Sequence, residues 1–325
     1  MSSLFRIDDR GSWSGGGAAF LANWQHAAAR FPQLNGAPGA IPLIPRNVPV
    51  QRLPPRPFVL APQNAWPWTP VSVGGGDRAR VLGLRLAGSI YARICAAQLR
   101  ISSAIPAFFP DTRSSPVIHN VLDPAFESAL EQAQAAAPLP ASEDAFVCLG
   151  SATGYRNLEL LVGAFADYKR DGGSCRLLIA GPPTNAVVAG RVSRQCADIP
   201  DARVWWGKAS RPSVLATLAQ ARGVVLPSRV EASPLSLLEA VVVNPRIIAS
   251  DIAGHREVMA DQVSDDRAGF FDPRSRSDLL HQLHSLERGE GIRLTRGALQ
   301  DAASREAARD RWAGAVGDWL TALDL

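Results

Sequence analysis

GVVLPSRVEASPLSLLEAVVVNPRIIASDIAG, residues 223–254, holds the pattern from which the rest of the chain is read. The apolar run Gly223 to Pro227 has the composition of a buried parallel strand. A loop from Ser228 to Ala232 follows and carries Glu231. Ser233-Pro234 predicts a helix start, with serine as N-cap and proline at the first helical position. Leu235, Leu237, Leu238, Ala240 and Val241 supply that helix with an apolar body. Asn244-Pro245 predicts its end, because asparagine tolerates the left-handed conformation and proline cannot continue a helix. Ile247-Ile248-Ala249 is the next strand. The unit is βαβ, with a helix N-terminus at the carboxyl edge of a sheet.

That edge is where α/β proteins bind ligands, and a helix N-terminus favours phosphate. Two carboxylates frame it, Glu231 before the helix and Glu239 within it. A carboxylate repels phosphate, so the pair suits neutral hydroxyls on either side of one. A sugar nucleotide offers that sequence of groups: sugar, diphosphate, ribose.

Glu231 to Ala240 resembles the Glu-x7-Glu signature of the retaining family 4 glycosyltransferases. Pro227-Ser228 before it, and Ala249-Ser250-Asp251 with Gly254 and Glu257 after it, resemble the family's flanks. Val242-Val243-Asn244 departs from the small residues and glycine usual there. The resemblance implies the α/β GT-B fold, two Rossmann-like domains facing a cleft, here with a reduced N-terminal domain. Its implied boundaries are 1–125 for the acceptor-side domain, 126–143 for an Ala/Pro/Gln-rich linker, and 144–325 for the nucleotide-sugar domain with a closing C-terminal helix.

The bulk properties agree with two ordinary domains. The chain has 325 residues, 46% of them hydrophobic and 20% charged, enough to bury cores and too few charges for wholesale disorder. The net charge of +4, without a basic run interleaved with aromatics, argues against nucleic acid as a partner. Lys169 and Lys208 are the only lysines. The arginine bias suits phosphate recognition, and a GC-rich genome also produces it. Cys95, Cys148, Cys175 and Cys196 are far apart and read as buried thiols, neither a metal set nor a disulfide framework. With no signal-peptide pattern and no bilayer-length apolar run, the expectation is a cytoplasmic protein without a transmembrane segment. It would sit peripherally at the inner face of the membrane if its acceptor is a lipid.

Leu4 to Ile7 reads as a first strand, and Gly15, Gly16 and Gly17 lead into a helix from Ala18 to Arg30. A glycine cluster there fits either a ligand loop or a plain turn. Residues 35–57, rich in proline and glycine, predict irregular structure, with strand–helix pairs missing between 31 and 57. The acceptor site is then open or completed by a protein partner over the small domain. Phe58 to Ala61 is a strand ending at Gln63, Asn64, Trp66 and Trp68. Those side chains fit a sugar or acceptor platform, since indoles stack on sugar faces, or a plug of the core. The donor-contacting histidine common in the family is missing here, with Gln63 or Asn64 in its place. Asp77 to Gln98 predicts a long helix with Val81, Leu82, Leu84, Ala87, Ile90 and Ile94 inward, and Leu99 to Ser103 a strand. Pro116 to Asp123 resembles a family segment, and His119 within it reads as a strand-end histidine rather than a base.

From Ala145 the alternation is regular. Strands are expected at 145–149, 176–180, 203–206, 223–226, 246–250 and 269–271, giving a doubly wound parallel sheet. Gly150 to Asn157 resembles the family's diphosphate loop, with Ser151 in place of an arginine and Arg156 matching the second cation. Gly181 and Lys208 stand at neighbouring strand ends. His281 and His284 share a helix face without a third ligand, so they read as solvated.

The resemblance thus implies a nucleotide-sugar-dependent, hexosyltransferase-like enzyme moving a sugar to a glycan, lipid-linked or small-molecule acceptor, with no cofactor and no metal required. Glu231 and Arg156 are the expected catalytic residues. Glu239, Ser233, Pro234, Leu235, Gly150, Ser151, Lys208 and Gly181 are expected to bind the donor, and Gly15, Gly16, Gly17, Gln63, Asn64 and Trp66 to line the acceptor side. The alternative is a degenerate GT-B protein serving as a binding or scaffold subunit.

Overall fold

The computed structural model describes residues 5–7, 16–31, 34, 40–44, 57–63, 82–83, 85–87, 90–91, 93–106, 115–260, 269–290, 299 and 301–323. The chain divides into two compact units. One comprises Met1–Phe126, Glu231–Leu235 and Leu299–Leu325, the other Glu127–Val230 and Ser236–Ala298.

The first unit holds β1 (Phe5–Ile7), α1 (Gly16–Arg30), β2 (Ile41–Ile44), β3 (Val59–Leu60) and β4 (Ala97–Gln98). All four strands are parallel and lie in chain order, Phe5 opposite Ile41, Leu43 opposite Val59 and Leu60 opposite Gln98. Strand β2 falls in the window expected to lack regular structure. Its Pro42 and the prolines around it obscure a strand that the burial of Leu43 secures. Helix Ala302–Ala322 belongs to this unit. It sets Trp312, Val316, Trp319 and Leu320 into one core with Phe20, Trp24 and Ala27 of α1 and with Leu43, Val59 and Leu99. Phe20 and Trp312 meet edge-to-face at 5.3 Å, and Arg30 pairs with Glu306 at 2.7 Å.

The helix expected over 77–98 ends earlier. Helical residues lie between 82 and 94, and Gln98 is a strand residue, buried and bonded to the Ser115 hydroxyl at 2.9 Å. Leu82 and Ile90, expected inward, are more than half exposed, as is Leu86. Helical spacing groups apolar residues on one face but does not say whether anything covers it. In place of a strand over 99–103, residue Arg100 makes a single parallel bridge to Val117.

The stretch read as a linker is partly helical, α2 (Ala125–Ala133), because it carries its own apolar anchors. Phe126 is fully buried beneath the Arg305 guanidinium, and Leu139 is buried with its N–H bonded to Thr217 Oγ1 at 2.8 Å.

The second unit alternates β5 (Ala145–Leu149), α3 (Leu158–Arg170), β6 (Arg176–Gly181), α4 (Ala186–Ala197), β7 (Ala202–Trp206), α5 (Arg211–Gln220), β8 (Gly223–Leu226), α6 (Leu235–Val243), β9 (Ile247–Ser250), α7 (Ala253–Ala260), β10 (Phe270–Phe271) and α8 (Arg276–Glu287). Its six strands are parallel in the order β10-β9-β8-β5-β6-β7. This is the doubly wound arrangement, with the winding direction reversing between β5 and β8. Among the described residues the first unit's strand order has no such reversal. The core below the reversal is built from Phe146, Leu161, Phe165, Tyr168, Leu177, Ile179, Val225 and Ile248. Burial pushes the Cys148 thiol up to about 12 and those of Cys95 and Cys196 to about 11, so the thiols stay protonated and inert. No described helix is long and apolar enough to cross a membrane.

Candidate active site

A reversal of winding direction leaves a crevice at the carboxyl ends of the two strands that flank it. Here those ends lead into residues 150–157 after β5 and residues 227–234 after β8. Both expected donor loops therefore start at the crevice beside this reversal.

The β5 loop is shaped by close backbone packing. Gly181, at the end of β6 with φ 154°, lies so near that a Cβ on it would stand 2.0 Å from the Gly150 carbonyl oxygen. Only glycine fits there. Gly150 donates its N–H to the Ala180 carbonyl at 2.9 Å, and Ala152 donates to Pro182 at 3.0 Å. Arg156 ends a short 3-10 turn and folds its guanidinium back over Gly150, 3.5 Å from where a Cβ would stand. Asn157, in the left-handed conformation at φ 59°, then starts α3. Ser151 is half-buried in the same loop, and Lys208 is exposed just beyond β7.

Arg229 joins the two loops. Its N–H donates to the Tyr155 carbonyl at 2.8 Å and its Nε to Asn157 Oδ1 at 2.9 Å. Asn157 in turn donates from Nδ2 to the Pro273 carbonyl. Sequence reasoning passed over Arg229. An arginine two residues before Glu231 has no distinctive spacing, and its role depends on a loop 72 residues away.

Helix α6 carries Glu239 with its side chain mostly buried. Its carboxylate accepts from Arg211 at the start of α5, with Nε and Nη2 2.8 and 2.7 Å from Oε1. At the other end of the same helices, Asn244 donates from Nδ2 to the carbonyls of Leu218 at 2.8 Å and Ala221 at 3.0 Å, and accepts from the Arg246 N–H at 2.8 Å. The left-handed conformation expected of Asn244 is not adopted, since it is absent from the non-glycine residues with positive φ. The following Pro245 confines it to extended backbone, and its buried amide caps the last turn of α5 instead. The departure from a small residue at this place thus has a structural purpose.

Helix α6 begins at Leu235, one residue later than Pro234 predicts. Ser233, expected as its N-cap, is buried in the first unit, where its Oγ accepts the Asn120 N–H at 3.0 Å. Glu231 and Leu235 are half-buried and Pro234 is buried. Asn120 also donates from Nδ2 to Gln63 Oε1 at 3.3 Å, and Gln63 donates to the Ala61 carbonyl at 3.1 Å. Gln63 is therefore held at the end of β3 beside the segment that carries Ser233. His119 bonds the Ile101 carbonyl through Nδ1, the structural role expected of it. Gly16 and Gly17 lie inside the first turn of α1 rather than in a loop before it. Gly15, Asn64 and Trp66 lie outside the described residues. No cluster of three or more metal-ligating side chains occurs among the described residues.

Residues 131–306 match the family described as glycosyl transferases group 1. No curated protein matches the chain. Among solved structures, the fold is similar to the lipopolysaccharide outer core galactosyltransferase WaaB in its apo form, with TM-score 0.61 and 13% identity over 99% of each chain. It is similar to HepE of Anabaena in complex with UDP and glucose, with TM-score 0.59 and 12% identity over 99% of this chain and 100% of that one. A UDP-forming α,α-trehalose-phosphate synthase from Burkholderia xenovorans shares the fold with TM-score 0.57 and 15% identity over 94% of this chain and 79% of that one. With a family match over more than half its length and the GT-B fold, the chain belongs to the glycosyl transferases group 1, the retaining family 4 enzymes that take sugar from nucleotide donors.

Proposed function

We propose that this protein transfers a hexose from a nucleoside-diphosphate sugar to a glycan, lipid-linked or small-molecule acceptor, and that the nucleotide binds at the winding reversal of the second unit. The observation that carries this reading is the pair of loops at the ends of β5 and β8, bound together by Arg229 and followed by a helix that presents Glu239. Glu239 accepts the ribose hydroxyls. Glu231 accepts a hydroxyl of the transferred sugar. Arg156 and the N–H groups at the start of α6 neutralise the diphosphate, with Lys208 adding charge from the end of β7.

Negative charge grows on the leaving diphosphate in the transition state. Fixed N–H dipoles and a guanidinium aimed at it lower the barrier more than they stabilise the ground state. Pro234 has no N–H, so Arg156 carries a larger share than in a site with glycine there. The reading calls for no metal ion.

The test is a thermal-shift screen of wild type and Glu239→Ala against UDP, ADP and GDP and their hexose conjugates. A ligand at about 100 times its Kd adds about 2.7 kcal/mol, which raises the melting temperature of a unit this size by about 5–10 °C. One nucleotide series should shift wild type and fail to shift the variant. If no series moves wild type, or if Glu239→Ala responds as wild type does, the assignment of the site fails.

A further inference from the structure

Arg211 has no place in the chemistry above, although it is paired with Glu239. Glu239 has three side-chain torsions to fix before it can accept hydroxyls in one geometry. Arg211 fixes them through two donors on one oxygen, at 2.8 and 2.7 Å, with both side chains mostly shielded from water. The arginine is itself held. Ser210 caps α5, accepting the Ser213 N–H at 3.2 Å, and Pro212 stiffens the first turn. Asn244 ties α6 to the last turn of α5, so the two helices are bonded at both ends. A carboxylate accepts at both oxygens along several lone-pair directions, so engagement of Oε1 by arginine is compatible with accepting from hydroxyls.

We infer that Arg211 is the positioning residue that makes Glu239 a ribose reader, so that the enzyme's preference for nucleotides bearing ribose hydroxyls depends on Arg211 as much as on Glu239. This rests on the nucleotide site proposed above. An ordered carboxylate meets each hydroxyl without first losing side-chain freedom, and a nucleotide lacking those hydroxyls forfeits the bonds they would make to it. Lysine at the position supplies charge without the two-pronged geometry and fixes the carboxylate less well.

The test measures binding of whichever of UDP, ADP and GDP binds wild type, against its 2′,3′-dideoxy counterpart, for wild type, Glu239→Gln, Arg211→Gln, Arg211→Lys and the double Gln variant. Wild type should prefer the ribonucleotide by at least about 10-fold, the scale of hydrogen bonds to a charged group. Arg211→Gln should bring the preference to within about 3-fold of unity, Arg211→Lys should keep an intermediate value, and the double variant should lose no more than either single one. The dideoxy nucleotide should bind wild type and Arg211→Gln alike, a result that misfolding would not give. Unliganded melting curves identify a variant that has lost its fold, and Arg211→Lys then decides the matter. If wild type binds no nucleotide, the site itself is wrong. If wild type and Arg211→Gln discriminate equally while Glu239→Gln does not, the site stands and the role of Arg211 is refuted.

Discussion

Replacing Asn244 separates two explanations for the residue at the end of α6. If asparagine merely ends the helix, Asn244→Gly should be harmless and Asn244→Asp, nearly isosteric, should be mild. The structure implies otherwise. Asn244 is 1% exposed and its side chain makes three hydrogen bonds, two of them to the carbonyls of Leu218 and Ala221 at the end of α5. Each bond contributes about 0.5–1.5 kcal/mol net, and a buried polar group left unsatisfied costs about 1–3 kcal/mol. Asn244→Ala should therefore cost about 2–4 kcal/mol, and Asn244→Gly at least as much. Asn244→Asp should be worse than Ala, because it turns an acceptor toward two carbonyl oxygens. For a body of about 150–250 residues each kcal/mol is about 2–4 °C, so calorimetry should show the transition of the second unit fall by roughly 5–15 °C. Binding of nucleotide should weaken too, since Glu239 lies on the same helix. An Asn244→Asp variant as stable as wild type, or a Gly variant within about 0.5 kcal/mol of it, would show that the amide does not cap α5.

Gly181→Ala should cost about 2–4 kcal/mol in urea denaturation, because the new methyl collides with the Gly150 carbonyl and the left-hand φ adds strain; a cost under about 1 kcal/mol would mean that the loop after β5 yields. Burial alone would raise the Glu287 carboxyl, but the Ser174 hydroxyl and N–H and the Tyr168 hydroxyl together hold it below its ordinary value. A depressed folded pKa contributes stability above the unfolded value of about 4.3 and loses it as pH falls through the folded value. Urea midpoints for wild type and Glu287→Gln should therefore differ at pH 7 and converge toward pH 3, and a gap independent of pH would contradict that linkage.

The second unit was legible because each of its elements carries its own signal. Short apolar runs marked every strand, and between them Ser210, Ser275 and Asn185 cap helices by local rules. The first unit was less legible. Pro42 hides β2, and Leu82 and Ile90 repeat like core residues while facing outward. At the site, Glu231, Glu239 and Arg156 could be chosen because a spacing or a loop position singles each of them out. Arg229, Arg211 and Asn244 could not, because each acts through a partner 72, 28 or 26 residues away, and no short-range pattern records such a partner.

The packing of helix Ala302–Ala322 against α1 also sets an order of assembly. A ribosome exposes α1 early, yet the core around Phe20 and Trp24 stays incomplete until Trp312, Val316 and Trp319 have emerged nearly 300 residues later. The second unit is almost continuous in sequence and can close its sheet while synthesis is still under way. The usual sequence of domains folding from the amino end is then inverted. The half made first is finished last, and its exposed aromatic helix must be kept from unproductive contacts throughout translation.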